Sequence, residues 1–323
     1  MLLAALLAFS IAFACLLVLL SAPVRGLVLD HPNERSLHVA PVPRTGGLAI
    51  MAGAASSFAF PAADGHAPLL LAFGLAIVSF ADDLFGVPTF LRLALHLAAA
   101  AAALLLLTHS DPIVFVAFLL ALGWLTNLYN FMDGSDGLAG GMALIGFGTY
   151  ALAAHGGGDA SLATLCIALA AAALAFLLFN THPARIFMGD AGAIPLGFLA
   201  GVLGLAGWRD GLWPFWFPML VFSPFVVDAS FTLAKRVARG EKAWLAHRDH
   251  YYQRLVRMGF GHGRTALVEY ALMVLCAVTA LAVRDTSGAV QAATICVAAA
   301  GYFALAIWID IRWSRHGAGS APG

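Results

Sequence analysis

Apolar runs of roughly 16 to 22 residues, separated by short segments rich in charge, Gly, Pro or Asn, recur from one end of the chain to the other. Runs of that length match a bilayer crossing and predict eleven helices, near residues 2–22, 46–63, 67–81, 90–107, 112–129, 137–154, 160–179, 192–208, 212–234, 265–283 and 289–310. The first run has no basic residues ahead of it and reaches the ~20 residues a span needs, so it reads as a retained helix rather than a signal peptide. The expected fold is an all-α polytopic membrane protein, residues 1–323 forming one integral domain with a basic loop at 235–264.

Composition narrows the class further. With 62% hydrophobic and 11% charged residues over 323 positions, and a mean hydropathy of +0.90, the chain has too little polar surface to coat a soluble globule. The net charge of zero says nothing about partners until charges are placed along the chain. Cys15, Cys166, Cys276 and Cys296 all lie inside apolar runs without a CxxC or Cys/His cluster, so they read as small hydrophobes.

Charge placement then fixes an orientation. With the amino terminus outside, all Lys and Arg except Arg209 and Arg284 fall in cytoplasmic segments, an asymmetry that a missed or extra mid-chain span would destroy. The same arrangement puts Asp82, Asp83, Asp133, Asp136, Asp190 and Asp228 on the cytoplasmic face, while the outside segments look like simple turns. Carboxylates are costly inside a bilayer, so a set gathered at run ends marks a membrane-surface site suited to a metal.

The cytoplasmic segments carry different chemistry. In the polar stretch Asp30 to Gly47, Arg35, His38 and Arg44 are candidate anion ligands, with topology anchoring as the alternative for the arginines. Asp82 and Asp83 repel each other unless a cation or a basic partner lies between them, or they merely cap a helix. Asn127, Asn130, Asp133 and Asp136 recur every third residue, which makes one polar face while the segment stays helical. Gly134 and Gly137 then break the helix, and such an oxygen-rich set suits Mg²⁺ and phosphate-linked hydroxyls, whereas the EF-hand spacing is absent. Between Asn180 and Gly192, Arg185 offers bidentate contacts to phosphate and Phe187 a face for a base or a packing surface. The segment from Lys235 to Arg264 holds eight of the seventeen basic residues together with His247, His250 and His262, which fits anionic headgroups, while Ala246 to Leu255, including His250 and Arg254, interleaves His, Arg and aromatics, which fits a lipid-phosphate or diphosphate clamp. No Walker A, GxGxxG, HExxH or GxSxG motif accompanies these residues.

The ordered series DHPNERSLHVAPVPRTGG, FADDLFG, NLYNFMDGSDGLAGG, FNTHPARIFMGDAG and AHRDHYYQRL resembles the polyprenyl-phosphate N-acetylhexosamine-1-phosphate transferases, glycosyltransferase family 4, which also contains the phospho-N-acetylmuramoyl-pentapeptide translocase. The resemblance implies transfer of a sugar-1-phosphate from a UDP-N-acetylhexosamine to undecaprenyl phosphate, releasing UMP, in the bacterial inner membrane. It also implies Mg²⁺ as cofactor, with Mn²⁺ as a substitute, no nucleic-acid partner, contact with membrane lipids and a homodimer as an option. Residue by residue it implies Asp190, Asp133 and Asp83 at the metal, Asp82 and Asp83 at the lipid phosphate, Phe187 on uracil, Asn127, Asn130, Asp133 and Asp136 near metal and nucleotide, and His250 in the last cytoplasmic loop. The HRDHYYQRL form, in which one histidine stands where other branches cluster several, resembles the O-antigen-type branch. The competing expectations are the peptidoglycan pentapeptide transferase and, from another class, a transporter, whose charged residues would lie near the bilayer midplane in repeated halves.

Overall fold

The computed structural model describes residues 1–26, 28–32, 40–60, 66–107, 111–242 and 247–319. Arg35 and His38 lie outside the described residues, as do parts of the two outside segments expected near residues 64–67 and 108–111.

The protein is built from helices, in chain order α1 (Leu2–Leu19), α2 (Gly46–Ala54), α3 (His66–Phe85), α4 (Thr89–Leu107), α5 (Pro112–Phe131), α6 (Leu138–Gly156), α7 (Ala160–Asn180) and α8 (Asp190–Arg209). These are followed by α9 (Trp216–Val221), α10 (Ser223–Ala238), α11 (Tyr251–Leu255), α12 (Gly261–Val283) and α13 (Gly288–Gly319). Among the described residues nine helical stretches are long and apolar enough to cross a membrane, Tyr251–Val283 counting as one. The other two expected spans exist but are broken. Residues 46–59 begin as α2 and tighten into a 3₁₀ turn at Ala55–Ala59. The 212–234 run is interrupted at Phe222, just before Pro224, giving α9 and α10. The expected basic loop at 235–264 is partly helical: α10 reaches Ala238, and α11 passes through a π-turn at Val256–Phe260 into α12.

Helix α8 is the hub, with 94% of its apolar stretch buried, against 72% for α6 and α7 and 11% for α13. Lipid tails are as apolar as leucine, so helices in a bilayer associate by close packing of small residues rather than by the hydrophobic effect. Helix α8 presents glycines for this purpose. A Cβ on Gly192 would lie 2.5 Å from the Gly47 Cα, so α2 and α8 touch backbone to backbone. Large side chains such as Leu70, Ile77, Leu105, Val278 and Phe303 point outward, as a lipid-facing surface requires.

One small strand motif sets up the site. A two-residue ribbon pairs β1 (Leu29–Asp30) antiparallel to β2 (Val42–Pro43). The segment before α8 extends it: the Phe187 N–H donates to Pro43 O (2.7 Å), and Gly46 and Gly47 N–H donate to Phe187 O and Met188 O (2.9 and 2.8 Å). Arg44 is thereby locked beside the first turn of α8.

Candidate active site

Four elements converge on one charged cluster. Asp83, from the last turn of α3, has a side chain only 3% exposed and accepts from Arg44 Nη2 at 2.9 Å. The same guanidinium nitrogen is 3.0 Å from Asp190 Oδ1, at the first position of α8, where the helix dipole favours negative charge. Asp82, the neighbour of Asp83, turns away from it. Its Oδ1 accepts from the Val87 backbone N–H (2.6 Å) and its Oδ2 from Arg92 Nη1 (2.5 Å), which also lies 3.7 Å from Asp190 Oδ2. The repulsion expected within the Asp82–Asp83 pair is relieved by two arginines, one for each carboxylate. Arg92 was not among the sequence candidates. Its signal was its position ten residues after Asp82, in the first turn of the next span.

Gly189 makes this convergence sterically feasible. Its φ is +71°, and a Cβ there would stand 2.4 Å from Arg44 O, so only glycine lets the β2 segment approach the α8 start. Its N–H donates to Asp133, in the turn after α5. Burial and then the neighbouring Asp190 push the Asp133 carboxyl well above its usual range, against the pull of Arg44 and this hydrogen bond. Burial opposes the charge on Arg44, but Asp83, Asp190, Asp30 and Asp133 outweigh it and raise its pKa.

The expected single polar face at 127–136 is divided, because α5 ends at Phe131. Asn127 donates to Gly123 O (2.7 Å) and hydrogen-bonds the buried His96 of α4. Asn130 stays on α5, half-buried, while Asp133 joins the Asp190 cluster. Asp136 forms a separate group: its Oδ2 takes His182 Nδ1 at 2.6 Å and the Ala184 N–H at 3.2 Å. The His182 ring stacks at 5.3 Å on His262, whose Nδ1 is 3.0 Å from Ser135 Oγ. Asn180 ties the two loops together, its Oδ1 accepting from Gly137 N (2.9 Å) and its Nδ2 donating to Ile186 O (2.8 Å). His96 and His182 were not sequence candidates, and His262 stood out only as part of the basic segment Lys235–Arg264; no spacing rule links His182 to an aspartate 46 residues earlier.

The remaining candidates take different positions. Arg185 is exposed and lies over the Phe179 ring at 4.7 Å, and Phe187 is half-buried with its backbone in the extended ribbon. His250 is buried beside Phe131, its Nδ1 3.1 Å from Asp228 Oδ1. Asp228 also accepts the Tyr251 and Tyr252 backbone N–H groups (2.9 Å each), so it caps α11 and does not join the charged cluster. Nearby, burial and then His250 and Arg236 push His247 down to about 4, leaving it neutral near pH 7. Arg254 is also not at the cluster: it is buried, donates to Asp310 (2.8 Å) and packs on Tyr251.

Among the described residues no three His, Cys, Asp or Glu side chains stand preassembled as a metal cage. The donor set nevertheless fits a hard cation such as Mg²⁺, which uses one or two carboxylates and completes its shell with water and substrate phosphates. Asp83 Oδ2 is buried without a hydrogen-bond partner, and Asp82, Asp83, Asp133 and Asp190 face two guanidiniums, those of Arg44 and Arg92. The cluster therefore carries an acidic surplus and an unfilled acceptor at the same point.

Residues 66–207, from α3 to α8, match the family model described as glycosyl transferase family 4. A Bacillus subtilis protein named "Probable undecaprenyl-phosphate N-acetylglucosaminyl 1-phosphate transferase" is 28% identical over 279 residues, covering 80% of this chain and 78% of its own length. The decaprenyl-phosphate N-acetylglucosaminephosphotransferase of Mycolicibacterium smegmatis is 29% identical over 76% of this chain and 73% of its own. A phospho-N-acetylmuramoyl-pentapeptide-transferase of Geobacillus thermodenitrificans is 46% identical, but over 84 residues, 26% of this chain and 25% of its own. The matched region contains the paired aspartates of α3, the turn after α5 and the α8 aspartate, so the chain is similar to glycosyl transferase family 4 and to polyprenyl-phosphate N-acetylglucosamine-phosphate transferases over the part that builds the charged cluster.

Proposed function

We propose that this protein transfers N-acetylhexosamine-1-phosphate from a UDP-sugar to undecaprenyl phosphate on the cytoplasmic face of a bacterial inner membrane, with its amino terminus outside. The observation that carries the reading is the Asp83–Arg44–Asp190 triangle with the unpartnered Asp83 Oδ2 at its edge. A non-bridging oxygen of the lipid phosphate forms a bond to the sugar-bearing phosphorus. The bond from that phosphorus to the bridging oxygen breaks, and UMP leaves with the electron pair.

Both reactants are anions, so the barrier falls chiefly through positioning and charge compensation. Mg²⁺, held by Asp83 and Asp190 with Asp133 behind them, would supply compensation at the phosphate oxygens. Arg44 and Arg92 are the fixed cations that hold the two phosphate groups together. Asp82 has both oxygens engaged, so its role is to aim Arg92, while Asp83, with one oxygen on Arg44, has its other oxygen left for the cation. Phe187 and Arg185 lie on the segment leading into Asp190 and provide a stacking face and a cation for the nucleotide. The HRDHYYQRL segment supports a product used in O-antigen or a related surface polysaccharide.

A second reading, transfer of phospho-N-acetylmuramoyl-pentapeptide, is favoured by the 84-residue match at 46% identity. Both are tested by offering purified membranes radiolabelled UDP-sugars, the muramoyl-pentapeptide donor included, with undecaprenyl phosphate, with and without Mg²⁺. Mg²⁺-dependent lipid product from one acetamido-sugar donor, lost in Asp190→Asn, is expected. Product from the pentapeptide donor alone selects the second reading, and no product from any donor by folded protein overturns both.

A further inference from the structure

An apolar groove of about 590 Å³ runs along α13 where it stands off from α9 and α12, lined by residues including Leu272, Leu275, Val297 and Gly301. That volume lies within the roughly 300–1,000 Å³ of ligand pockets. A smaller hollow of about 30 Å³ continues it toward the basic end of α13, sharing Leu272, Tyr302 and Leu305 and reaching Ile309. The Tyr302 hydroxyl is engaged by Ser223 Oγ (2.6 Å) and Cys276 Sγ (3.3 Å), so it is not left to bind a polar ligand in the trough.

One turn beyond Ile309 the chemistry changes. Arg312 lies over the Trp308 ring and Arg257 over the Trp313 ring, each 4.7 Å from the centroid. Asp310, the acid at this end, is already taken by Lys235 and by Arg254. Arg257 and Arg312 are both exposed, and among the described residues neither pairs with a carboxylate. Tryptophan and arginine at the end of a membrane span sit at headgroup depth.

The narrow hollow between trough and arginines passes the buried Asp228, already bonded to His250 and two backbone N–H groups, and the buried Glu269, and beyond them lie the exposed Arg257 and Arg312, so the surface has the form of a lipid with a negatively charged head. We propose that the α13 groove binds an anionic phospholipid of the surrounding bilayer, an acyl chain along the Leu275–Gly301 wall and the phosphate on Arg257 and Arg312. The occupant is a phospholipid rather than the polyprenyl acceptor because α13 packs on α11 and α12, whereas the Asp83–Arg44–Asp190 triangle is built on α3, the β2 segment and α8. A phosphate held by Arg312 is not presented to those carboxylates. The site is independent of the transfer chemistry, and its test does not read turnover.

Detergent-purified protein is titrated with phosphatidylglycerol, phosphatidylcholine or undecaprenyl phosphate, and bound lipid is read by native mass spectrometry. Phosphatidylglycerol is expected to remain bound at one molecule per chain while phosphatidylcholine is lost. The double variant Arg257→Gln with Arg312→Gln should weaken retention at least tenfold. Gly301→Leu should do the same by filling the trough, since nothing lies within 4 Å of a Cβ at that exposed position. Both are surface changes, and Gly301→Leu decides the matter alone if the arginine variant proves unstable. Unchanged retention overturns the proposal, and undecaprenyl phosphate displacing phosphatidylglycerol from this groove overturns the choice of occupant.

Discussion

Adjacent carboxylates in one helix turn have been given different tasks. Asp82 is saturated by Val87 N–H and Arg92, whereas Asp83 keeps a buried oxygen without a partner. Under the proposed reaction, Asp83→Asn removes an interaction that strengthens only as charge develops, and kcat should fall by roughly 10²–10³ with little change in KM, the scale of losing one preorganised electrostatic group. Asp82→Asn should instead act through a misaimed Arg92 and raise KM for the phosphate substrates, so steady-state kinetics of the two variants separate the roles. Asp133 gives a signed pH effect. Its folded-state pKa is raised, so the folded protein holds a proton that the unfolded chain releases above about 3.9. Its stabilising contribution is full below that value and is lost as pH rises through the folded pKa. Thermal melts of cation-free protein should therefore decline with rising pH less steeply in Asp133→Asn than in the parent. The carboxylates themselves were legible because charge at the end of an apolar run is conspicuous. Their partners were less so: Arg44 and Asp190 are 146 residues apart, and only the folded chain reveals that one guanidinium serves two aspartates.

At the level of elements, the site depends on one backbone crossing and one helix cap. Gly189 combines φ of +71° with a Cβ position 2.4 Å from Arg44 O, so Gly189→Ala should cost more than the roughly 1–3 kcal/mol of backbone strain alone and should separate Arg44 from Asp190. Gly211→Ala, at φ +73° with open space around it, should show the strain only. Thermal melts of both in detergent give the comparison, and equal losses would mean that the crossing is not tight. Asp228 likewise acts at a distance from the chemistry. Asp228→Ala leaves the Tyr251 and Tyr252 N–H groups and His250 Nδ1 without their acceptor, at roughly 1–3 kcal/mol per buried group. Hydrogen exchange at residues 250–255 should rise while that of α8 stays protected. Run lengths in the sequence disclosed nearly every helix. They could not disclose the 3₁₀ turn after α2 or the use of Asp228 as a cap, because both depend on neighbours brought in by tertiary packing. The α9–α10 break had a visible cause in Pro224 that the apolar run around it masked.

Over the whole molecule, the charged cluster and the lipid-facing surface have to be reconciled by one orientation. The basic segment from Lys235 to Arg264 belongs to the end proposed to be cytoplasmic, and Arg284 and Asp285 to the opposite end of α12. Two cysteine substitutions at exposed polar positions test this, Lys242→Cys in the basic segment and Thr286→Cys in the α12–α13 turn. The native cysteines lie within α1, α7, α12 and α13, away from those ends, and Cys166 and Cys276 are buried. A thiol reagent that does not cross membranes should modify the Lys242→Cys protein only in inverted vesicles and the Thr286→Cys protein only in right-side-out vesicles. Because the one helical stretch Tyr251–Val283 separates the two positions, modification of both from one side would mean that it does not span. A reversed pattern would turn the Asp83–Arg44–Asp190 triangle away from the cytoplasm, where a nucleotide-sugar donor is made, and the transfer proposed here could not proceed.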